Sequence, residues 1–193
     1  MDNALYYLAL NRQIGLRREM TTIANNVANA DTPGFKTEGL VFAEFVRRTG
    51  TADSVSMADA GASYASARPG ELRVTGAPLD IAIEGRGFFL TEGADGPILS
   101  RAGSFQRSEE GLVVTSEGRR VMDAGGGEIF LPPDGAVEIA SDGTISVAGA
   151  AIGQLGVYDA PPETLTRAGG TGFRPTEGFE PALGAQLRQG MLE

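Results

Sequence analysis

The sequence contains no cysteine, no histidine and no tryptophan, and its only lysine is Lys36. Without cysteine there is no disulfide, no thiol nucleophile and no thiolate metal site. Without histidine a His-based metal centre is impossible, and a serine nucleophile lacks its usual base. Basic runs are missing too. With a net charge of −9 and pI near 4.6, a polyanion such as nucleic acid or an anionic membrane surface would repel the chain. No apolar run reaches the roughly 18 residues that a membrane-spanning helix needs. The N-terminus lacks the plan of a cleavable leader: Asp2 and Asn3 stand where basic residues belong, and Asn11, Arg12 and Gln13 interrupt the apolar stretch. If the protein leaves the cytoplasm, the expected route does not use a Sec-type leader. The absence of cysteine suits a chain that travels unfolded.

Catalytic chemistry finds little to work with. Among 25 Asp and Glu no pair stands in a recognisable acid/base arrangement, so a solvated surface is the expected role for them. Gly85-Arg86-Gly87-Phe88-Phe89-Leu90 starts like a phosphate loop, but Leu90 replaces the third glycine and strand pattern surrounds it, which predicts a tight turn between strands. There is no Walker loop, and Asp142-Gly143 lacks the acidic positions of an EF-hand. The expectation is no enzyme, no catalytic residue, no cofactor and no metal. Two rivals remain open: an exported β-rich module binding cell-wall glycan, and a carboxylate-based glycan hydrolase.

What is present is organised in two styles. Residues 3 to about 29 read as one helix with Asp2 as a candidate cap. Along it Tyr6, Ala9, Gln13, Leu16, Met20, Ile23, Val27 and Ala30 are spaced 3-4-3-4-3-4-3, a seam suited to lengthwise packing on another helix. An amphipathic helix lying on its own domain is the ordinary alternative. The narrowness of the seam, with small alanines and a glutamine in it, argues for a helical partner instead. Asn25, Asn26 and Asn29 make poor helix material, because short amides compete for backbone groups. A turn follows at Asp31-Thr32-Pro33-Gly34, with Pro33 fixing φ and Gly34 free to take positive φ. Residues 37–48 are too short to classify, and 49–69, rich in Ala, Ser, Asp and Gly, read as a linker or mobile loop.

From about residue 72 the period becomes two. Leu79, Ile81 and Ile83 alternate with Asp80, Ala82 and Glu84, and short apolar runs follow up to Leu155–Tyr158. Between them stand turn signals: Glu110-Gly111, Glu117-Gly118, Gly125-Gly126-Gly127, Pro132-Pro133-Asp134-Gly135 and Asp142-Gly143. This spacing predicts an antiparallel sandwich or small barrel, and with the helix an α+β, mainly β chain. From Pro161 to Glu193 the pattern fades into Pro- and Gly-rich chain.

The run Ala24-Asn25-Asn26-Val27-Ala28-Asn29-Ala30-Asp31-Thr32-Pro33-Gly34-Phe35-Lys36 resembles the N-terminal signature of the flagellar rod and hook proteins. A second block agrees: Pro78-Leu79-Asp80-Ile81-Ala82-Ile83-Glu84-Gly85-Arg86-Gly87-Phe88-Phe89, then Arg101-Ala102-Gly103-Ser104-Phe105, then Gly111-Leu112-Val113-Val114 and Gly118. A third, Gln189-Gly190-Met191-Leu192-Glu193, resembles the run that re-enters the family's axial core. Within the family the start Met1-Asp2-Asn3-Ala4-Leu5-Tyr6 and the modest β domain are most similar to proximal rod subunits, with distal rod subunits next and the larger hook protein less similar.

The resemblance implies an axial helix and turn at 1–36, an extended connector at 37–75, a β domain at 76–180 and a return segment at 181–193. It also implies a structural subunit of the periplasmic rod. The implied partners are copies of itself and other rod proteins, with export through the flagellar type III apparatus. The family continues beyond the position of Glu193 with an Asn-containing run and a long helix. The expectation is therefore a truncated or unusually short form whose seam lacks its natural partner and which assembles poorly alone.

Overall fold

The computed structural model describes residues 2–49, 53–66, 70–93 and 95–193. They divide into two compact units, one of residues 1–31 with 37–66 and one of residues 32–36 with 67–193.

The first unit opens with α1, Asp2–Ala28, 27 residues long. Its end is built by the asparagines. The Asn29 backbone N–H and side-chain amide both donate to the Asn25 carbonyl, at 3.1 and 2.9 Å, closing the last turn. Ala30, the last member of the seam, thus lies in the turn beyond the helix. The rest of the unit corrects the sequence reading. Residues assigned there to a connector and loop form a long antiparallel hairpin, β1 (Glu38–Thr49) and β2 (Asp53–Ala65), in register from Glu38 opposite Ala65 to Thr49 opposite Asp53, with a bulge between Val41 and Phe42. The second strand reads Asp-Ser-Val-Ser-Met-Ala-Asp-Ala-Gly-Ala-Ser-Tyr-Ala. Its small side chains carry no apolar alternation, while the ladder that defines the strand is made by backbone groups common to every residue.

The second unit holds the core. Its largest sheet has six antiparallel strands in the order Leu165–Arg167, Gly172–Pro175, β6 (Gly96–Ser100), β5 (Phe88–Gly93), Val157–Asp159 and Glu180–Pro181. A three-stranded sheet joins Ala150–Gln154, Thr144–Val147 and Val137–Ile139. Shorter pairs join β3 (Arg73–Val74) to Met191–Leu192, β4 (Ile81–Glu84) to Gln186–Gln189, and Phe105–Arg107 to Val113–Thr115. Gln186–Gln189 and Met191–Leu192, in the segment expected to return toward an axial core, are strands of this unit. Each predicted turn signal carries a glycine at positive φ: Gly111, Gly118, Gly126, Gly135 and Gly143.

Among the described residues, the buried hydrophobic side chains all lie between Ile81 and Leu187. Phe89 and Phe105 meet edge to face, ring centroids 5.0 Å apart, amid Ile81, Ile83, Val121 and Leu131. The predicted alternation in β4 does not survive. Ile81, Ala82 and Ile83 are all buried, because this strand is covered on both faces.

Candidate assembly surfaces

On α1 the usual arrangement of an amphipathic helix is inverted. Among the side chains of this segment whose burial is described, the half-covered positions are Gly15, Glu19, Thr22, Asn26 and Asn29, a stripe of small and polar residues spaced 4-3-4-3. Every residue of the predicted seam is exposed instead: Tyr6, Ala9, Gln13, Leu16, Met20, Ile23, Val27 and, past the helix end, Ala30. Met20 and Val27 reach 72 % and 71 % exposure. A helix of a self-contained domain turns its apolar side to the core. This one turns its polar stripe inward within its own unit and leaves the apolar stripe in water.

Asn26 explains how a polar stripe is held. Its amide donates to the Glu38 carbonyl at 2.9 Å, and its Oδ1 accepts from the Glu38 N–H at 3.0 Å. The side chain thus copies a peptide group and pairs the helix to the start of β1 at two points. Asn26→Ala removes both partners and leaves the Glu38 backbone unsatisfied, a loss of about 1–3 kcal/mol at that junction. The expected result is at least a roughly tenfold faster hydrogen exchange at the Glu38 amide with helix circular dichroism retained. From the resemblance, the asparagine cluster and the 31–36 turn are expected to set the angle at which the chain leaves the helical layer, with no partner foreseen for Asn26. A bidentate amide-to-backbone pairing leaves no trace in spacing.

The remaining motif residues gather in the second unit. Thr32 to Phe35 form the turn, with the Phe35 N–H donating to the Thr32 carbonyl at 3.1 Å, Pro33 at its second position and Gly34 at φ 73° in its third. Glycine is needed there twice over, since a Cβ on Gly34 would fall 2.1 Å from the Ala102 backbone nitrogen. Ala102 belongs to the second motif block, so two blocks far apart in sequence touch backbone to backbone. Phe35 and Phe173 both contact one guanidinium, that of Arg167, whose carbon lies 4.6 and 4.7 Å from the two ring centroids. Arg167 also donates to the Lys36 carbonyl at 2.6 Å. Nothing in the sequence pattern singled it out.

At the centre of this junction is Glu193. Its Oε1 takes the Lys36 ammonium and, at 2.5 Å, the Gly70 N–H; its Oε2 lies 2.8 Å from Arg101 Nε in a charge contact; its backbone carbonyl accepts from the Gly34 N–H at 2.8 Å. The three charged side chains are between 3 % and 6 % exposed. Arg101 donates further to the Gly87 and Gly85 carbonyls at 3.0 and 2.9 Å, which uses the Gly85–Gly87 turn as a second anchor. Burial pulls both the Lys36 ammonium and the Arg101 guanidinium below their usual pKa, and the Glu193 carboxylate acts in the opposite sense on each.

Of the other predicted motif residues, Ile83, Phe89 and Phe105 are core. Phe88 meets Phe173 edge-on at 6.0 Å. Leu79 packs on the core edge and hydrogen-bonds through its carbonyl to Phe105 N–H at 3.1 Å. The Asp80 carbonyl accepts from the Gly190 N–H at 2.7 Å. Gly103 passes so close to Ile81 that no side chain fits. These positions are structural, and the chemistry they offer is packing. Among the described residues no group of acidic side chains is placed to hold a metal ion, and no helix is long and apolar enough to cross a membrane.

The family described as flagellar hook protein FlgE/F/G D1 domain matches residues 82–147, and the family described as flagella basal body rod protein matches residues 7–36. The chain is 38 % identical to the flagellar basal-body rod protein FlgF of Mesorhizobium japonicum, over all of this chain and 81 % of that protein. It is likewise 38 % identical to FlgF of Caulobacter vibrioides, over all of this chain and 82 % of that protein. Against the basal-body rod protein FlgG of Bacillus subtilis the identity is 30 %, over 73 % of this chain and 59 % of that protein.

Proposed function

The chain belongs to the flagellar basal-body rod and hook family, and from that premise we propose that it is a FlgF-like structural subunit of the rod, acting by polymerisation. The observation that carries the mechanism is the inversion of α1, with small and polar residues covered and the apolar stripe exposed. In the rod that stripe is buried against helices of other subunits, copies of this chain and other rod proteins. The gain is roughly 25 cal/mol for each Å² of apolar surface removed from water. A tubular shaft needs contacts that do not close on themselves, so the function is spread over surfaces and assigned to no pocket and no catalytic step.

The residues of the β unit supply lateral contacts, and the 32–36 turn fixes where the chain enters that unit after the helix. The place of action is the flagellar basal body. Delivery is through the flagellar type III apparatus in an unfolded state, which the absence of cysteine favours. Proximal rod identity is favoured over distal because these FlgF relatives match the whole chain and this FlgG relative covers a smaller share of it.

The cysteine-free sequence makes a direct test available. Met20→Cys places one thiol on the exposed stripe. In purified basal bodies a short thiol-anchored photo-crosslinker, which needs no amine on its partner, should join it to neighbouring subunits, giving adducts of two chains. Recovery of the monomer alone from assembled basal bodies would exclude the stripe from the interface.

A further inference from the structure

We propose that Glu193 is a positioning residue that clasps the mouth of the hairpin excursion and so seats the 32–36 turn. The chain leaves the second unit after Lys36 and is back in it by Gly70. Both banks of that gap are held by one oxygen: Glu193 Oε1 takes the Lys36 ammonium on the way out and the Gly70 N–H on the way back. The other carboxylate oxygen faces Arg101, which is itself tied to the Gly85 and Gly87 carbonyls, and the Glu193 backbone carbonyl holds Gly34. Three segments far apart in sequence, at Gly34–Lys36, Gly70 and Arg101, therefore meet at a single residue.

Charge makes the arrangement singular. Two buried cations share one carboxylate, so its removal leaves both without that counter-ion in a region almost closed to water. The strands on either side, β3 with Met191–Leu192 and β4 with Gln186–Gln189, bring Glu193 to its place by backbone pairing, the buried Leu187 and the Gln189 amide, none of which uses the carboxylate. They would persist without the carboxylate. The clasp is thus separable from the fold that presents it.

Lys36, the only lysine, gives the clasp a private reporter. A lysine-specific endoprotease can cut this chain at one bond, Lys36–Thr37, and needs the ammonium free of Glu193. The full wild-type chain should resist. Glu193→Gln should be cut on the order of a hundredfold faster into fragments 1–36 and 37–193. That rate should not change with urea below the global transition, the mark of local opening. Glu193→Asp, which keeps the charge but is one methylene too short to reach all its partners, should fall between, and it decides the matter if the glutamine variant does not fold. Cleavage of both variants no faster than wild type overturns the proposal. So does cleavage that climbs with urea along the slope of global unfolding. The readout is made on the isolated chain, so its outcome is independent of whether the α1 stripe assembles.

Discussion

Leu16→Asp combined with Ile23→Asp is expected to remove the chain from assembled rods while leaving its β unit folded. Both residues lie in the stripe, 51 % and 53 % exposed, so neither contributes much to the chain's own core. In the free chain the change costs little beyond helix propensity, at most about 0.7 kcal/mol for each aspartate. In a helical layer the same two carboxylates would be taken out of water between apolar neighbours without a partner. That costs several kcal/mol for each. Summed over every subunit contact along a shaft, the penalty leaves no assembled population. The measurement is the amount of chain recovered with purified basal bodies, alongside a thermal melt of the free protein. Incorporation should fall below detection and the melt of the β unit should be unchanged. A control change at exposed Arg12, off the stripe, should incorporate normally. Normal incorporation of the double aspartate variant would remove the stripe from the mechanism.

The second large effect is expected from one methyl group. A Cβ on Gly103 would lie 1.7 Å from the Ile81 carbonyl oxygen and 3.1 Å from the Phe89 ring. The first of these is backbone, in a strand buried on both faces, and the Ile81 N–H donates to the Gly103 carbonyl at 2.9 Å. Nothing flexible can give way. Gly103→Ala must push the main chains of Gly103 and Ile81 away from each other at the centre of the core, breaking that bond and opening the Phe89–Phe105 contact. A loss above about 4 kcal/mol is expected, against a whole-domain stability of about 5–15 kcal/mol. Urea unfolding should show the midpoint collapse or the β unit unfolded from the start. Gly178→Ala, where a Cβ would meet nothing within 4 Å, is the matched control and should shift stability by less than about 1 kcal/mol. An unfolded control would mean that the assay reads glycine loss in general and not the close approach.

The two substitutions probe different classes of information. The stripe of α1 was legible because it is local: residues three and four apart share a helix face whatever the rest of the chain does. The same holds for the turn at Thr32–Phe35 and for the glycine-marked turns of the β unit, where one residue's permitted φ decides the conformation. Gly103 was legible only as a member of a family-like block. Its reason, a backbone crossing with Ile81, lies 22 residues away in sequence and concerns a side chain that is absent.

By itself the sequence determined the long helix, its apolar stripe, the change to short antiparallel strands and the kinship with rod and hook proteins. Each is written in spacing or in contiguous runs. Only the tertiary structure decided that Glu38–Thr49 pairs with Asp53–Ala65, since ladder hydrogen bonds are indifferent to the small side chains of β2. It alone decided that Asn26 substitutes for a peptide group and that Arg167 lies against two phenylalanines. And it alone brought Lys36 to Glu193 across 157 positions, because a contact between buried charges depends on where strands deliver them in space, and no periodicity carries that distance.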